Sequence, residues 1–441
     1  MVVRPGYKQT EVGVIPEDWE FTTVGQLVRD NVIQTPLDGN HGDTHPKSGD
    51  FVTYGIPFVM ANNVHGGTVD LSNCSFIRKE QADSLRKGFS VPGDVLLTHK
   101  ATIGNTAVVG AIPFEYIMLT PQVTYYRVAD RSRLNNRYLR HFFDSTQFQQ
   151  VLLALSGGGT RAYIGITAQL QLPVAVPPFP EQEAIAVVLS DADALIESLE
   201  QLIAKKRRIK LGAMQELLTG KRRLPGFGEL RRQNSEVGEI PIDWRVLEIG
   251  VIANVKTGPF GSSLHERDYV DDGTPIITVE HLGERGVLHA DLPMVSEADR
   301  KRLAAYSLEE GDIVFSRVGS VDRNARISKA EHGWLFSGRL LRVRPFDEST
   351  DTNYLSYHFH FEPFKQRVRT VAVGQTMACL NTRILKSVLI VLPEPHEQAA
   401  IAAVLSDMDA EIAALEGKLA KARQIKQGMM HNLLTGRIRL V

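Results

Sequence analysis

The sequence predicts an α+β protein built twice over: two globular domains, each followed by a long helix, with the helices paired as an antiparallel coiled coil about an internal pseudo-two-fold axis. Three observations carry this. "EQEAIAVVLSDAD" from Glu181 is nearly rewritten as "EQAAIAAVLSDMD" from Glu397, and over Glu181–Leu224 against Glu397–Leu440 there are 27 identities in 44 ungapped positions. Both segments keep a heptad rhythm of apolar residues. Between them the apolar pieces are short and bounded by Gly, Pro, Asn and Asp, the signature of brief strands and turns.

The elements follow in order. "TEVGVIPEDW" at Thr10–Trp19 answers "SEVGEIPIDW" at Ser235–Trp244, and "GIPFVMANNV" at Gly55–Val64 answers "GTPIITVEHL" at Gly273–Leu282. "PGDVLLTHKATIGN" at Pro92–Asn105 answers "EGDIVFSRVGSVDR" at Glu310–Arg323, and "GGT" at Gly158–Thr160 answers "GQT" at Gly374–Thr376. The predicted boundaries are a first domain over 1–178, a helix over 179–222, a linker over 223–235, a second domain over 236–394 and a helix over 395–441. Faithful helices beside diverged domains report duplication followed by different uses.

In the first helix Ile185, Leu189, Ala192, Ile196, Leu199 and Ile203 step by four and three; in the second Ile401, Leu405, Met408, Ile412, Leu415, Leu419 and Ala422 do the same. Each Leu or Ile gains roughly 1.5–3 kcal/mol on burial, so the seam needs a partner helix, and the other copy is the simplest one. Some 33 residues make a rod of about 50 Å at about 1.5 Å per residue.

Composition bounds the function. At 441 residues, 43% hydrophobic and 23% charged, the chain is globular and of roughly two to four domains. No apolar run of 18 or more residues is present, and "MVVRPGYKQTEVG" lacks the apolar core of a signal peptide, so a cytoplasmic protein is expected. Cys74 and Cys379 alone exclude a disulfide framework or a cysteine-based zinc site. The net charge of -1 argues against indiscriminate phosphate coating, although Lys205–Lys210 and Lys221–Arg223 are basic clusters.

No catalytic motif is found. "GGGT" at Gly157–Thr160 lacks the rest of a phosphate loop, and Asp299-Arg300-Lys301 and Glu416-Gly417-Lys418 supply only part of a nuclease core. "VPPFP" at Val176–Pro180 has the outline of an amino-methyltransferase loop, but Val176 stands where an acceptor must grip the amine. The prolines instead end a strand and open a helix, with Glu181 in its first turn against the helix dipole. His41 with His45, and His358 with His360, have no third ligand at sensible spacing, so no metal is expected.

The order "IPEDW"/"IPIDW", "GD" before a short strand with "HKATIG"/"RVGSVD", "PPFPEQ"/"PEPHEQ" and "LLTG" at each helix end resembles the specificity subunit of Type I restriction–modification systems over essentially the whole chain. The resemblance implies a non-catalytic subunit with two target recognition domains, each reading one half of a split double-stranded DNA site. It implies two modification subunits that methylate adenine with S-adenosylmethionine, and restriction subunits that add ATP- and Mg-dependent cleavage where the cell has them. No cofactor is expected in this chain. A rod of about 50 Å suits half-sites a turn or somewhat more apart, one turn being about 34–36 Å. Rival readings are a single-chain DNA-modifying enzyme and a coiled-coil adaptor with two protein-binding domains.

Base edges are read by Arg, Lys, Asn, Gln, Ser or Thr on loops. In the first domain the candidates are Asn62 and Asn63 after one strand, His99, Lys100 and Thr102 after another, and Arg161 with Tyr163 after the glycines. In the second they are Lys256, Ser262, Ser263 and His265 in "KTGPFGSSLH", Arg317 and Arg323 in the loop after "DIVFS", and Gln375. Lys100 and Arg317 lead, although Arg317 aligns with His99.

Overall fold

The computed structural model describes residues 4–157, 162–228, 231–259, 264–284, 286–372 and 378–440. It divides into two units: residues 1–201 with 416–441, and residues 202–415. Each unit thus takes one globular domain and a stretch of both long helices, α1 (Phe179–Leu217) and α2 (Pro395–Leu433). By packing, the helices belong to both units.

Within the first unit a four-stranded sheet is formed by β1 (Leu37–Asp38), β2 (Val95–Lys100), β3 (Thr102–Val108) and β4 (Val123–Tyr126), in the order β3-β2-β4-β1. The second unit repeats it with β5 (Ala253–Thr257), β6 (Ile313–Ser316), β7 (Asn324–Arg326) and β8 (Leu340–Pro345), in the order β7-β6-β8-β5. A second sheet in each unit contains one parallel pair, Phe58 beside Met118 and Ile276 beside Leu335. The sequences diverge, yet the topology does not.

Both faces of the four-stranded sheets carry apolar clusters, because their strands sit between two packed layers. On one face of the first, Val95, Leu97 and Tyr126 join a core with Trp19, Tyr138, Phe142, Ile185 and Leu189. The second unit packs Ile313, Phe315 and Val343 with Trp244, Tyr354, Phe359, Ile401 and Leu405. The opposite faces hold smaller clusters around Leu96 and Val123, and around Val314 and Leu340.

The short strand Pro173–Val176 pairs with Glu20–Thr23, and Leu389–Leu392 with Arg245–Glu248, tying each domain's opening to the root of its helix. Of the "VPPFP" prolines, Pro177 and Pro178 therefore sit between a strand and α1, and Pro180 lies in the helix's first turn. Each helix has 39 residues, about 58 Å of rod, somewhat longer than the heptad seam alone.

The seam is where the heptads place it. Ile185, Leu189, Ile203, Ile401, Leu405, Ile412 and Leu415 are buried, and Ile196, Leu199, Met408 and Leu419 are half-buried. The helices pair antiparallel in both units. In the first, Asp193 binds Lys426 and Glu200 lies 2.5 Å from Arg423; in the second, Lys206 lies 2.6 Å from Glu411 and Lys210 lies 2.6 Å from Asp409. Rising numbers on one helix meet falling numbers on the other. Ile185 and Leu189, like Ile401 and Leu405, also fill the domain cores, so each rod is rooted in its domain.

One buried arrangement recurs with the same chemistry. Trp19 Nε1 donates to Glu181 Oε2 at 3.1 Å, and Trp244 Nε1 donates to Glu397 Oε2 at 2.9 Å. Arg439, beyond the end of α2, binds Glu181 and Asp18 in the first unit; Arg223, beyond the end of α1, binds Glu397 and Asp243 in the second. Hydrogen bonds from these arginines hold the Asp18 and Asp243 carboxyls below their usual range. "LLTG" has its place here too: Gly220 and Gly436 adopt φ of 61° and 64°, and a Cβ on either would lie 2.3 Å from the Cγ of Pro241 or Pro16. Only glycine meets both the left-handed backbone and the close approach.

Candidate nucleic-acid interface

In the first unit β2 and β3 form a hairpin whose tip is Lys100–Ala101–Thr102, with Lys100 paired to Thr102. Ala101 has φ of 67°, a left-handed conformation that a non-glycine residue adopts at a cost, and such positions gather at functional loops. Lys100 and Thr102 are exposed there. Tyr163 pairs with Lys100 as an isolated bridge, its ring 5.9 Å from Lys100 Nζ and 45% exposed. A cation beside an exposed aromatic ring, on a tight hairpin, suits a base edge or a sugar–phosphate face.

Below the tip lies a cavity of about 530 Å³ lined by His41, Lys47, Met60, Lys100 and Gln122 among others. Asn62 is exposed on the turn Ala61–Asn63, where Ala61 N donates to Gln122 Oε1 at 3.3 Å.

His99 and Asn63 depart from the sequence expectation. His99 is fully buried because strand alternation turns it inward from Lys100; its Nδ1 lies 2.9 Å from the Ile164 carbonyl. Burial lowers its pKa, which disfavours the imidazolium. Asn63 is 2% exposed, and its side chain closes the turn by accepting from Met60 N and donating to the Asn73 carbonyl. Both side chains are held beneath the surface by these bonds. Beside His99, burial would raise the Asp38 carboxyl, yet bonds from Lys87 and His41 hold it below its usual value. His41 Nε2 is 2.7 Å from Asp38.

In the second unit Arg317 follows β6 and is half-exposed. Its N–H donates to the Arg339 carbonyl and its carbonyl accepts from Leu380 N, as His99 pairs with Gln122 and Ile164. Val318 bridges Cys379 as Lys100 bridges Tyr163, and Gly319 repeats the left-handed turn of Ala101 with φ of 78°. Arg317 is therefore the structural counterpart of His99, and Val318 that of Lys100. The two units present different side chains from one scaffold.

The other second-unit candidates lie on separate elements. Arg323 is exposed, with its guanidinium donating to the Leu282 carbonyl, and His265 is exposed next to the Glu266–Asp268 turn. Lys256 is half-buried, its Nζ donating to the Ala305 carbonyl at 2.7 Å. Arg161, Ser262, Ser263 and Gln375 lie outside the described residues.

Sequence reading missed His41, Lys47 and Gln122 around the first cavity, and Arg342 on β8. A signal existed for the last: "RVRP" within a strand places Arg342 and Arg344 on one face. Among the described residues no helix is long and apolar enough to cross a membrane.

A model of the Type I restriction modification DNA specificity domain matches this chain twice, over residues 16–205 and 241–424. The type I restriction enzyme MjaVIII specificity subunit of Methanocaldococcus jannaschii is 22% identical over 440 residues, covering 97% of this chain and 94% of its own. The type I restriction enzyme EcoKI specificity subunit of Escherichia coli K12 is 21% identical over 460 residues, covering 97% and 90%. The crystal structure of the Type I restriction–modification system S subunit from M. genitalium has a TM-score of 0.59 at 14% identity, covering 98% of both chains. A structure solved for complex assembly and conformational transition of the type I system has a TM-score of 0.53 at 16% identity, covering 96% of this chain and 99% of that one. These two likenesses are of fold. The two matched segments take in both units, and the chain belongs to the Type I restriction modification DNA specificity family, as a DNA-recognition subunit with no catalysis of its own.

Proposed function

We propose that each unit reads one half of a bipartite, gapped duplex and that the chain directs adenine methylation by partner subunits. The observation that carries this is the pair of equivalent loops after β2 and β6: identical backbone pairing, different side chains. A scaffold that holds the backbone constant and lets Lys100, Tyr163, Arg317 and their neighbours vary is what two different half-sites require. Base contacts specify, whereas the buried clasps and rods only place the readers.

The rods set the gap. Two modification subunits carry S-adenosylmethionine and dock on the repeated elements, which stay alike because they meet the same partner twice. Restriction subunits, where the cell encodes them, bring ATP and Mg for translocation and cleavage. The complex works in the cytoplasm, and relatives named as specificity subunits of type I enzymes support that setting.

The test is retardation of a gapped duplex by the chain assembled with its modification subunit, against a scrambled competitor. The site is first read from the methylated adenines of the host genome. Preference for the methylated sequence supports the reading; equal retardation of both duplexes overturns it.

A further inference from the structure

On the face of the second unit's four-stranded sheet that holds Val314 and Leu340, two neighbouring cations have no acid partner. Lys256 on β5 stands directly opposite Arg342 on β8. Arg342 is 7% exposed, its Nε has no hydrogen-bond partner, and its terminal nitrogens reach only the Ser307 carbonyl at 3.5 Å and Asn254 Oδ1 at 3.4 Å. Lys256 Nζ donates to the Ala305 carbonyl and lies 4.6 Å from the Tyr306 ring centre. Among the described residues neither is ion-paired. The acids nearby, Asp312 and Glu309, are bound by Arg344.

The first unit shows what this place holds when it is only structural. The corresponding pair on β1 and β4 is Leu37 and Tyr125, packed against Leu96 and Val123 in an apolar cluster. The second unit gives up that apolar pair for two like charges facing each other across adjacent strands, a destabilising arrangement. One of them is nearly buried with an unsatisfied donor, which adds a desolvation penalty. Burial and the neighbouring Arg342 and Arg344 push the Lys256 ammonium down; burial lowers Arg342 as well. An anion bound between the two cations offsets both costs.

We propose that Lys256, Arg342 and Asn254 form a phosphodiester-binding pocket of the second unit, one that grips a backbone phosphate of the bound duplex and has no counterpart in the first unit. The inference rests on reading this unit as a DNA-recognition domain. Arg342 offers its terminal N–H groups to a phosphate oxygen, and Lys256 adds a point charge. The pocket adjoins the reading loop: Arg317 N donates to the Arg339 carbonyl, and Arg342 follows three residues on, about 10 Å along the strand. A phosphate held there fixes the second unit's register on the duplex without reading sequence.

The test uses the full chain assembled with its modification subunit. Lys256→Leu with Arg342→Tyr installs the apolar pair of the first unit; Lys256→Met alone, at a half-buried position, guards against misfolding of the double variant. Wild type should melt at a higher temperature in inorganic phosphate than in chloride of equal ionic strength, and the double variant should not. The double variant should weaken specific and scrambled duplexes by the same factor, and lower the slope of log affinity against log salt by about one to two. Lys256→Met should lower that slope by about one. Phosphate-dependent melting with an unchanged DNA salt slope would mark a free-anion site and overturn the proposal. So would variants that match wild type in both measurements. If wild type itself retards no duplex, the DNA-recognition reading falls first and takes this inference with it.

Discussion

Arg439 lies against Glu181 although 258 positions separate them, its Nε 2.6 Å from a carboxylate that is fully buried. The tail beyond α2 thus closes the root of α1, and Arg223 with Glu397 repeats the bond in the second unit. The clasps explain why "IPxDW", the Glu-Gln pair and the arginine after "LLTG" recur as a set.

The first prediction concerns these clasps. Removing Arg223 strands the Glu397 carboxylate, 2% exposed, without its cation, and breaking such buried pairs costs about 3–5 kcal/mol. Arg439 is itself 32% exposed, so water compensates more of its loss. Arg223→Met should therefore destabilise its unit more than Arg439→Met destabilises the other, in denaturant unfolding. Adding Glu397→Gln to Arg223→Met should recover part of the loss. A cost below about 1 kcal/mol for Arg223→Met would show that the clasp is not stabilising.

The second concerns acid. His358 is 1% exposed, its ring nitrogens have no hydrogen-bond partners, and burial pushes its pKa down to about 3. The unfolded chain binds the proton more readily, so the stabilising difference is complete above the ordinary histidine range. It is lost as pH falls from about 6.5 towards about 3. The first unit has Phe142 at the equivalent place, between the same Tyr and Phe positions. His358→Phe should remove a slope of about 1.4 kcal/mol per pH unit from the second unit's unfolding free energy across that window. Parallel pH profiles for variant and wild type would contradict this.

The third concerns the reading loops. Lys100→Ala and Arg317→Ala should each weaken binding of the assembled complex to its duplex. A lost base contact costs about 1–3 kcal/mol and relaxes one position of one half-site, whereas a lost phosphate contact weakens all sequences alike. Binding assays on singly substituted duplexes separate the two. Unchanged affinity for both variants would remove these residues from the interface.

The fourth concerns the rods. Ile412 is 1% exposed and Ile196 half-buried, so Asp at both positions places unpaired carboxylates in the seam. The double variant should fail to assemble with the modification subunit, as measured by size-exclusion chromatography. Normal assembly would refute the pairing of α1 with α2.

Much of this was legible beforehand, for a physical reason. Seam residues such as Leu189 and Leu405 follow a period that burial alone dictates, so the helices and their pairing could be read directly. "VPPFP" was legible because proline permits few backbone states. The interface was harder. His99 and Lys100 are adjacent, and only the strand's alternation decides that one is buried and the other exposed; a bulge between Leu97 and His99 sets that phase. Asn63 was indistinguishable from Asn62 until the turn closed on it. The Lys256–Arg342 pair depends on register between strands 86 positions apart in sequence, which no local pattern records.

The most direct test of modular reading exchanges the second domain, Val237 to Pro393, for that of a relative and maps the methylated adenines in cells carrying the hybrid. One half of the methylated sequence should change, while the other half and the gap stay as they were, because the first domain and both rods are untouched. A hybrid that changes both halves, or neither, would contradict the account.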